Sequence, residues 1–145
     1  MADEKGVFAL ISAIGTLRDR LRKDIDGLRQ IHNRWKDGNP SAMNLIAQLT
    51  ALKSNLGNIQ DWLNCAVQDL HPQLLSDLDL LTRSCELLVR HADCLNERLK
   101  YPDHGAVDCA AKVKYKLASR TMDRLQTVAQ RQSDAVTLLL AACNW

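Results

Sequence analysis

The chain has 145 residues, of which 46% are apolar and 25% charged, and a formal net charge of +2. That length suits one domain that buries a core without disulfide or metal staples, and the near-neutral charge excludes a strongly basic nucleic-acid binder. Aromatic residues make up 4% and Gly and Pro are few, so aliphatic side chains must build the core, and helices are favoured over sheet.

Residues 1–6 are polar and read as a frayed end. From Val7 a long helical pattern runs through Leu10, Ile14, Leu17, Leu21, Leu28, Ile31 and Trp35, thickened by Ile11 and Ile25. Its opening, with Val7, Phe8, Ala9, Leu10, Ile11, Ala13 and Ile14, is apolar nearly all round. Beyond it, Arg18, Arg20, Arg22, Lys23, Arg29, Arg34 and Lys36 outnumber Asp19, Asp24 and Asp26. The basic stretch is either a solvated face or a collar that places the apolar start in an anionic bilayer surface. Asp24 interrupts the apolar stripe. It either reaches solvent or a basic partner from a groove, or it sets register and weakens docking of this helix.

Asp37-Gly38-Asn39-Pro40 stops the first helix, and Asn39 or Ser41 is suited to cap the second, with Pro40 in its first turn. The second helix is expected over 41–67. Leu45, Leu49, Leu52, Leu56, Ile59 and Leu63 form its seam, widened by Ile46, Trp62 and Val67. Gly57 in its middle marks either close packing or a hinge.

Asp69-Leu70-His71-Pro72 breaks the chain before the pattern that organises it. Leu74, Leu78, Leu81, Cys85, Leu88, Ala92, Leu95 and Leu99 recur at alternating spacings of four and three, on one stripe of a third helix. The short link predicts that the second and third helices pack as an antiparallel hairpin.

Tyr101-Pro102-Asp103-His104-Gly105 is the next break. A short helix over 106–117 is expected, with Ala110, Val113 and Leu117 inward. Ser119 or Thr121 then caps a last helix whose stripe is Met122, Leu125, Ala129, Gln132, Val136, Leu139 and Cys143. Residues 138–142 are apolar on all sides, so either this end is buried centrally or it belongs to a longer helix. The expected fold is all-α: an antiparallel four-helix bundle with an additional short helix.

No catalytic or metal constellation is specific. There is no phosphate-cradling glycine loop, no CxxC and no HExxH. Cys85, His91 and Cys94 point in different directions on one helix, and Asp77 and Asp79 face apart. The expectation is a non-enzymatic chain without cofactor or metal. The odd set Cys65, Cys85, Cys94, Cys109 and Cys143 reads as small buried hydrophobes of a reducing compartment. No secretory signal or membrane-spanning run is evident, which predicts a soluble cytoplasmic protein.

Four strings resemble one family. They are Leu28-Arg29-Gln30-Ile31-His32-Asn33-Arg34-Trp35-Lys36-Asp37, Gln48-Leu49-Thr50-Ala51-Leu52-Lys53, Asp77-Leu78-Asp79, and the run from Arg131-Gln132-Ser133-Asp134 through Ala141-Ala142-Cys143-Asn144. From about Leu28 to the end, the chain is similar to the fungal HeLo-like N-terminal domains that precede STAND-type NTPase, ankyrin-repeat or G-protein-like modules. The resemblance implies a bundle akin to that of the mixed-lineage kinase-domain-like pseudokinase. It also implies a role in fungal programmed cell death or incompatibility, through oligomerisation and an apolar N-terminal segment that attacks membranes. Residues 7–14 occupy that position, and the segment is short, with Asp3, Glu4 and Lys5 before it and Arg18 soon after.

The expected function is therefore that of a signalling or effector domain, the N-terminal part of a longer protein. Val7, Phe8, Leu10, Ile11, Ile14, Arg18, Arg20, Arg22 and Lys23 are the candidate membrane- or partner-binding residues. The expected partners are further copies of the chain, anionic membrane lipids and a C-terminal regulatory module, with no nucleic acid. The alternative is an interaction or self-association module without membrane activity, with Trp35, Trp62 and Trp145 as candidate anchors if exposed.

Overall fold

A computed structural model describes residues 4–34, 40–66, 70–99 and 109–143. It contains four helices: α1 (Glu4–Arg34), α2 (Ser41–Ala66), α3 (Pro72–Leu99) and α4 (Cys109–Cys143), with no strand among the described residues. The seams predicted from apolar spacing form the core. Leu10, Ile14, Leu17, Leu21 and Leu28 of α1, Leu45, Leu49, Leu52, Leu56 and Leu63 of α2, and Leu78, Cys85, Leu88 and Leu95 of α3 are all buried. Helix α1 starts earlier than expected and takes in Glu4, Lys5 and Gly6. Trp35, Val67 and the loop at 101–105 lie outside the described residues.

Helix starts follow backbone hydrogen bonding more than side-chain identity. The Pro40 carbonyl accepts the Asn44 N–H at 2.8 Å, so Pro40 itself is the cap position and Ser41 is the first helical residue. At α3 the His71 carbonyl accepts the Leu75 N–H at 3.1 Å, and His71 Nδ1 accepts the Gln73 N–H at 3.0 Å. His71 thus caps α3 with its side chain, a role more often filled by Ser, Thr, Asn or Asp.

Two expectations are corrected. Helix α3 packs against α1 and α4, and α2 packs against α1 and α4, while α2 and α3 are not neighbours. The helices therefore form a ring in the order α1–α2–α4–α3. With interaxial spacings of 8–10 Å, diagonal partners stand roughly 12–14 Å apart. A link of a few residues reaches that corner, so a short connection does not fix adjacency. Along the α1–α3 contact, numbers rise together: Gly6 and Ala9 share a groove with Pro72 and Leu75, and Arg20 meets Asp93. These two neighbours run in the same direction.

The second correction concerns α4. The expected short helix and last helix are one continuous helix through 117–121. Ser119 Oγ donates to the Lys116 carbonyl at 2.7 Å within it instead of capping a new start. Extending the stripe of Met122, Leu125 and Ala129 backwards by three and four places Tyr115 and Ala118 inward. Tyr115 is buried at 2% exposure, whereas Leu117, predicted inward, is 70% exposed. The far end of α4 is not centrally buried: Leu138, Ala141 and Ala142 are exposed, and Leu139 and Leu140 pack at the edge of the core.

An aliphatic core is non-directional, so polar side chains pin the register of each contact. Between α2 and α4, Asn55 Nδ2 donates to Ser133 Oγ and to Thr137 Oγ1. Between α3 and α4, the buried Gln132 donates from Nε2 to the Ser84 carbonyl and Oγ, each at 2.9 Å. The pairs that hold α1 form the candidate site.

Candidate functional site

The candidate residues of α1 divide by helical phase. Val7, Leu10 and Ile14 are 0%, 4% and 1% exposed and belong to the core, with Ile11 packed beside them. Phe8 is 56% exposed, and Ala9 is also at the surface. The apolar start of the chain is thus mostly sheltered, with Phe8 its main exposed apolar side chain.

The basic residues divide in the same way. Arg18 Nη1 donates to Gln60 Oε1 at 2.8 Å, and Gln60 Nε2 donates back to the Ile11 carbonyl at 3.1 Å, tying α1 to α2. This is the close packing at Gly57. A Cβ there would stand 2.9 Å from Arg18 Nη2, so the glycine opens a berth for the guanidinium. Arg20 Nη2 forms an ion pair with Asp93 Oδ2 at 2.7 Å, tying α1 to α3. Arg22 and Lys23 are exposed, as is Arg29. The collar expected from Arg18, Arg20, Arg22 and Lys23 therefore keeps only its last two members for an outside surface, joined by Arg29.

Asp24 occupies the seam between α1 and α3 and is only 5% exposed. Asn96 Nδ2 donates to the Asp24 carbonyl at 3.1 Å and to Asp24 Oδ1 at 3.2 Å. Asn96 Oδ1 is buried without a hydrogen-bond partner, and no donor reaches the buried Asp24 Oδ2, whose carboxyl instead meets that of Asp93. Burial pushes the Asp24 carboxyl up to about 8, and Asp93 beside it adds to the rise, opposed by Asn96 and Arg20. At neutral pH the side chain is mostly a neutral acid, with Asp93 as the acceptor for its proton. Both basic and acidic neighbours thus surround it, and it neither reaches bulk water nor forms a simple pair with a cation.

Beside this cluster a cleft of about 800 Å³ opens between the C-terminal halves of α1 and α3. Asp24, Gly27, Ile31, Asp93 and Asn96 line it. A Cβ at Gly27 would lie 2.8 Å from Asn96 Oδ1, so that glycine leaves room for the amide. Asp24 stands out in the sequence as a break in an apolar stripe. Asp93 and Asn96 do not, because nothing local shows which face of α3 meets α1.

Other expectations resolve simply. Cys85 is buried, and burial pushes its thiol up to about 12, assisted by Glu86. Cys65 and Cys94 are exposed, contrary to the expectation of buried hydrophobes. Trp62 is half-buried against the core, which limits it as an anchor, and Trp35 and Trp145 lie outside the described residues. Among the described residues no group of three His, Cys, Asp or Glu side chains could hold a metal ion, and no helix is long and apolar enough to cross a membrane.

Comparison with known proteins finds no family model that matches the chain, no curated protein and no solved structure.

Proposed function

We propose that this chain is a non-enzymatic signalling or effector domain of the HeLo-like type, in which α1 is docked at rest and let go on oligomerisation to engage an anionic membrane. One observation carries the reading: α1 buries its apolar stripe against α2 and α3 while Arg22, Lys23 and Arg29 stay at the surface. A released α1 would offer a membrane both an apolar face and a cationic one. Each basic residue near anionic headgroups adds about 1 kcal/mol. The proposal includes an antiparallel course for α1–α2 and α3–α4, a cytoplasmic resting form, and a C-terminal module that drives assembly.

Dye release from phosphatidylserine vesicles tests it. Wild-type protein is expected to bind and leak them, and Arg22→Glu with Lys23→Glu to lose at least half of the activity with an unchanged melting curve. Charged substitutions at Leu10 or Ile14 would be uninformative, since these side chains are core and their loss unfolds the resting state. Wild-type protein that neither binds nor leaks such vesicles would end the membrane reading.

A second reading, self-association without lipid, is favoured by Leu80 and Leu87. They lie seven residues apart on α3 and are 70% and 56% exposed. Light scattering without lipid separates the two: a constitutive dimer, dissociated by Leu80→Lys with Leu87→Lys, supports the second.

A further inference from the structure

We propose that the outward face of α4 binds an anionic lipid surface while the four helices stay packed. Arg120, Arg124 and Arg131 meet the headgroup phosphates, and Leu117 and Leu138 enter the headgroup layer at either end. This contact goes beyond the release of α1 and does not depend on it.

Leu117, Arg124, Arg131 and Leu138 recur every seven residues along α4. Seven residues are close to two helical turns, so successive members drift by only about 20° and make one row roughly 32 Å long. Arg120 lies beside this row, one turn before Arg124. The row stands opposite the buried stripe of Met122, Leu125, Ala129 and Val136. All five of its side chains are exposed, with Leu117 at 70% and Leu138 at 71%. Among the described residues, none of the three arginines forms an ion pair. The described carboxylates of α4, Asp123 and Asp134, fall on one flank of the row, and the uncharged Thr121 and Val128 fall on the other.

Charge and apolar area together select the occupant. Arginines alone would suit any polyanion. Exposed leucines at both ends gain nothing from a chain of phosphates in water, but on a helix resting against a bilayer they reach the boundary between headgroups and acyl chains. Arginine stems are apolar and lie along the same layer, while their guanidinium groups bond phosphate oxygens. An extended anionic surface meets the whole row at once, and each cation near it strengthens binding. Helix α4 contacts α2 and α3 and stands diagonal to α1. A chain resting on α4 therefore holds α1 on the far side of the bundle from the lipid, so the packed form needs no rearrangement to bind.

Co-sedimentation of the full chain with phosphatidylcholine vesicles, with and without phosphatidylserine, tests this, with dye release read on the same samples. Wild type is expected to bind only the vesicles that contain phosphatidylserine. Most of that binding should be lost as salt rises from about 0.1 M to about 1 M, which shortens the screening length from roughly 10 Å to roughly 3 Å. Arg124→Gln with Arg131→Gln is expected to weaken binding at least tenfold, since each cation contributes about fivefold. Both side chains are exposed, so the melting curve stays that of wild type. Leu117→Ser with Leu138→Ser is expected to weaken binding several-fold and to leave its salt dependence unchanged. Arg22→Glu with Lys23→Glu should bind as wild type does, and binding kept there without dye release supports the α4 contact while removing the release of α1. Dye release together with full binding in the Arg124→Gln, Arg131→Gln protein does the reverse and overturns the α4 contact. Absence of binding to phosphatidylserine vesicles also overturns it. So does tight binding of a single-stranded oligonucleotide with no effect of the leucine pair on vesicles, which assigns the face to nucleic acid.

Discussion

Asp24 concentrates the energetics of the α1–α3 contact in one side chain. Its carboxyl moves from an ordinary 3.8 to about 8 on folding, chiefly through burial. The folded state therefore holds a proton that the unfolded state has released. Between those two values the unfolded chain binds fewer protons, so stability falls as pH rises, and it levels off above about 8. Replacing Asp24 by Asn supplies an amide donor toward Asp93 without a titrating group. Urea unfolding is expected to show Asp24→Asn more stable than wild type at about pH 9, by ~2 kcal/mol or more, since every tenfold difference in proton affinity between the folded and unfolded chain corresponds to ~1.4 kcal/mol. A wild-type stability that is flat from about pH 5 to pH 8 would contradict this assignment. Gly57 makes a smaller case at the same scale. Ala is favoured over Gly inside a helix by ~1 kcal/mol, but here its Cβ would stand 2.9 Å from Arg18 Nη2. Gly57→Ala is expected to gain that stability only in an Arg18→Ala background, a coupling that a double-mutant cycle measures.

At the scale of elements, periodicity locates the helices and their inner faces but not their ends or their neighbours. The stripe from Leu74 to Leu99 and the α2 seam are legible because apolar side chains at spacings of three and four admit one buried face. The division of α4 fails because Ser119 and Thr121 look like caps, yet a hydroxyl also bonds back within a helix. Once α4 is continuous, its phase follows and Tyr115 replaces Leu117 in the core. The two residues give opposite outcomes under mutation. Tyr115→Ala is expected to cost about 3 kcal/mol or more, and Leu117→Ser to stay within ~0.5 kcal/mol of wild type, both read from denaturant midpoints. The candidate site is legible only in part, for a similar reason. Arg20 and Asp24 lie on a helix whose phase can be drawn from sequence, while Asp93 and Asn96 come to it through the parallel course of α1 and α3, which no local signal encodes.

At the scale of the molecule, the proposed release of α1 requires that α2, α4 and α3 hold together without it. Helix α1 comes first in the chain and contacts only α2 and α3, whereas α2, α4 and α3 remain in unbroken succession without it. Its departure would uncover the seam from Val7 to Ile31 and break the polar ties at the Ile11 carbonyl, Arg18, Arg20 and Asp24. Such partial openings have free energies between zero and that of global unfolding. Native-state hydrogen exchange in low denaturant tests this most directly. Amides across residues 10–28 are expected to share one opening free energy, below the value at which the centres of α2 and α4 exchange. Amides of α1 that exchange only through global unfolding, together with those of α2 and α4, would contradict it.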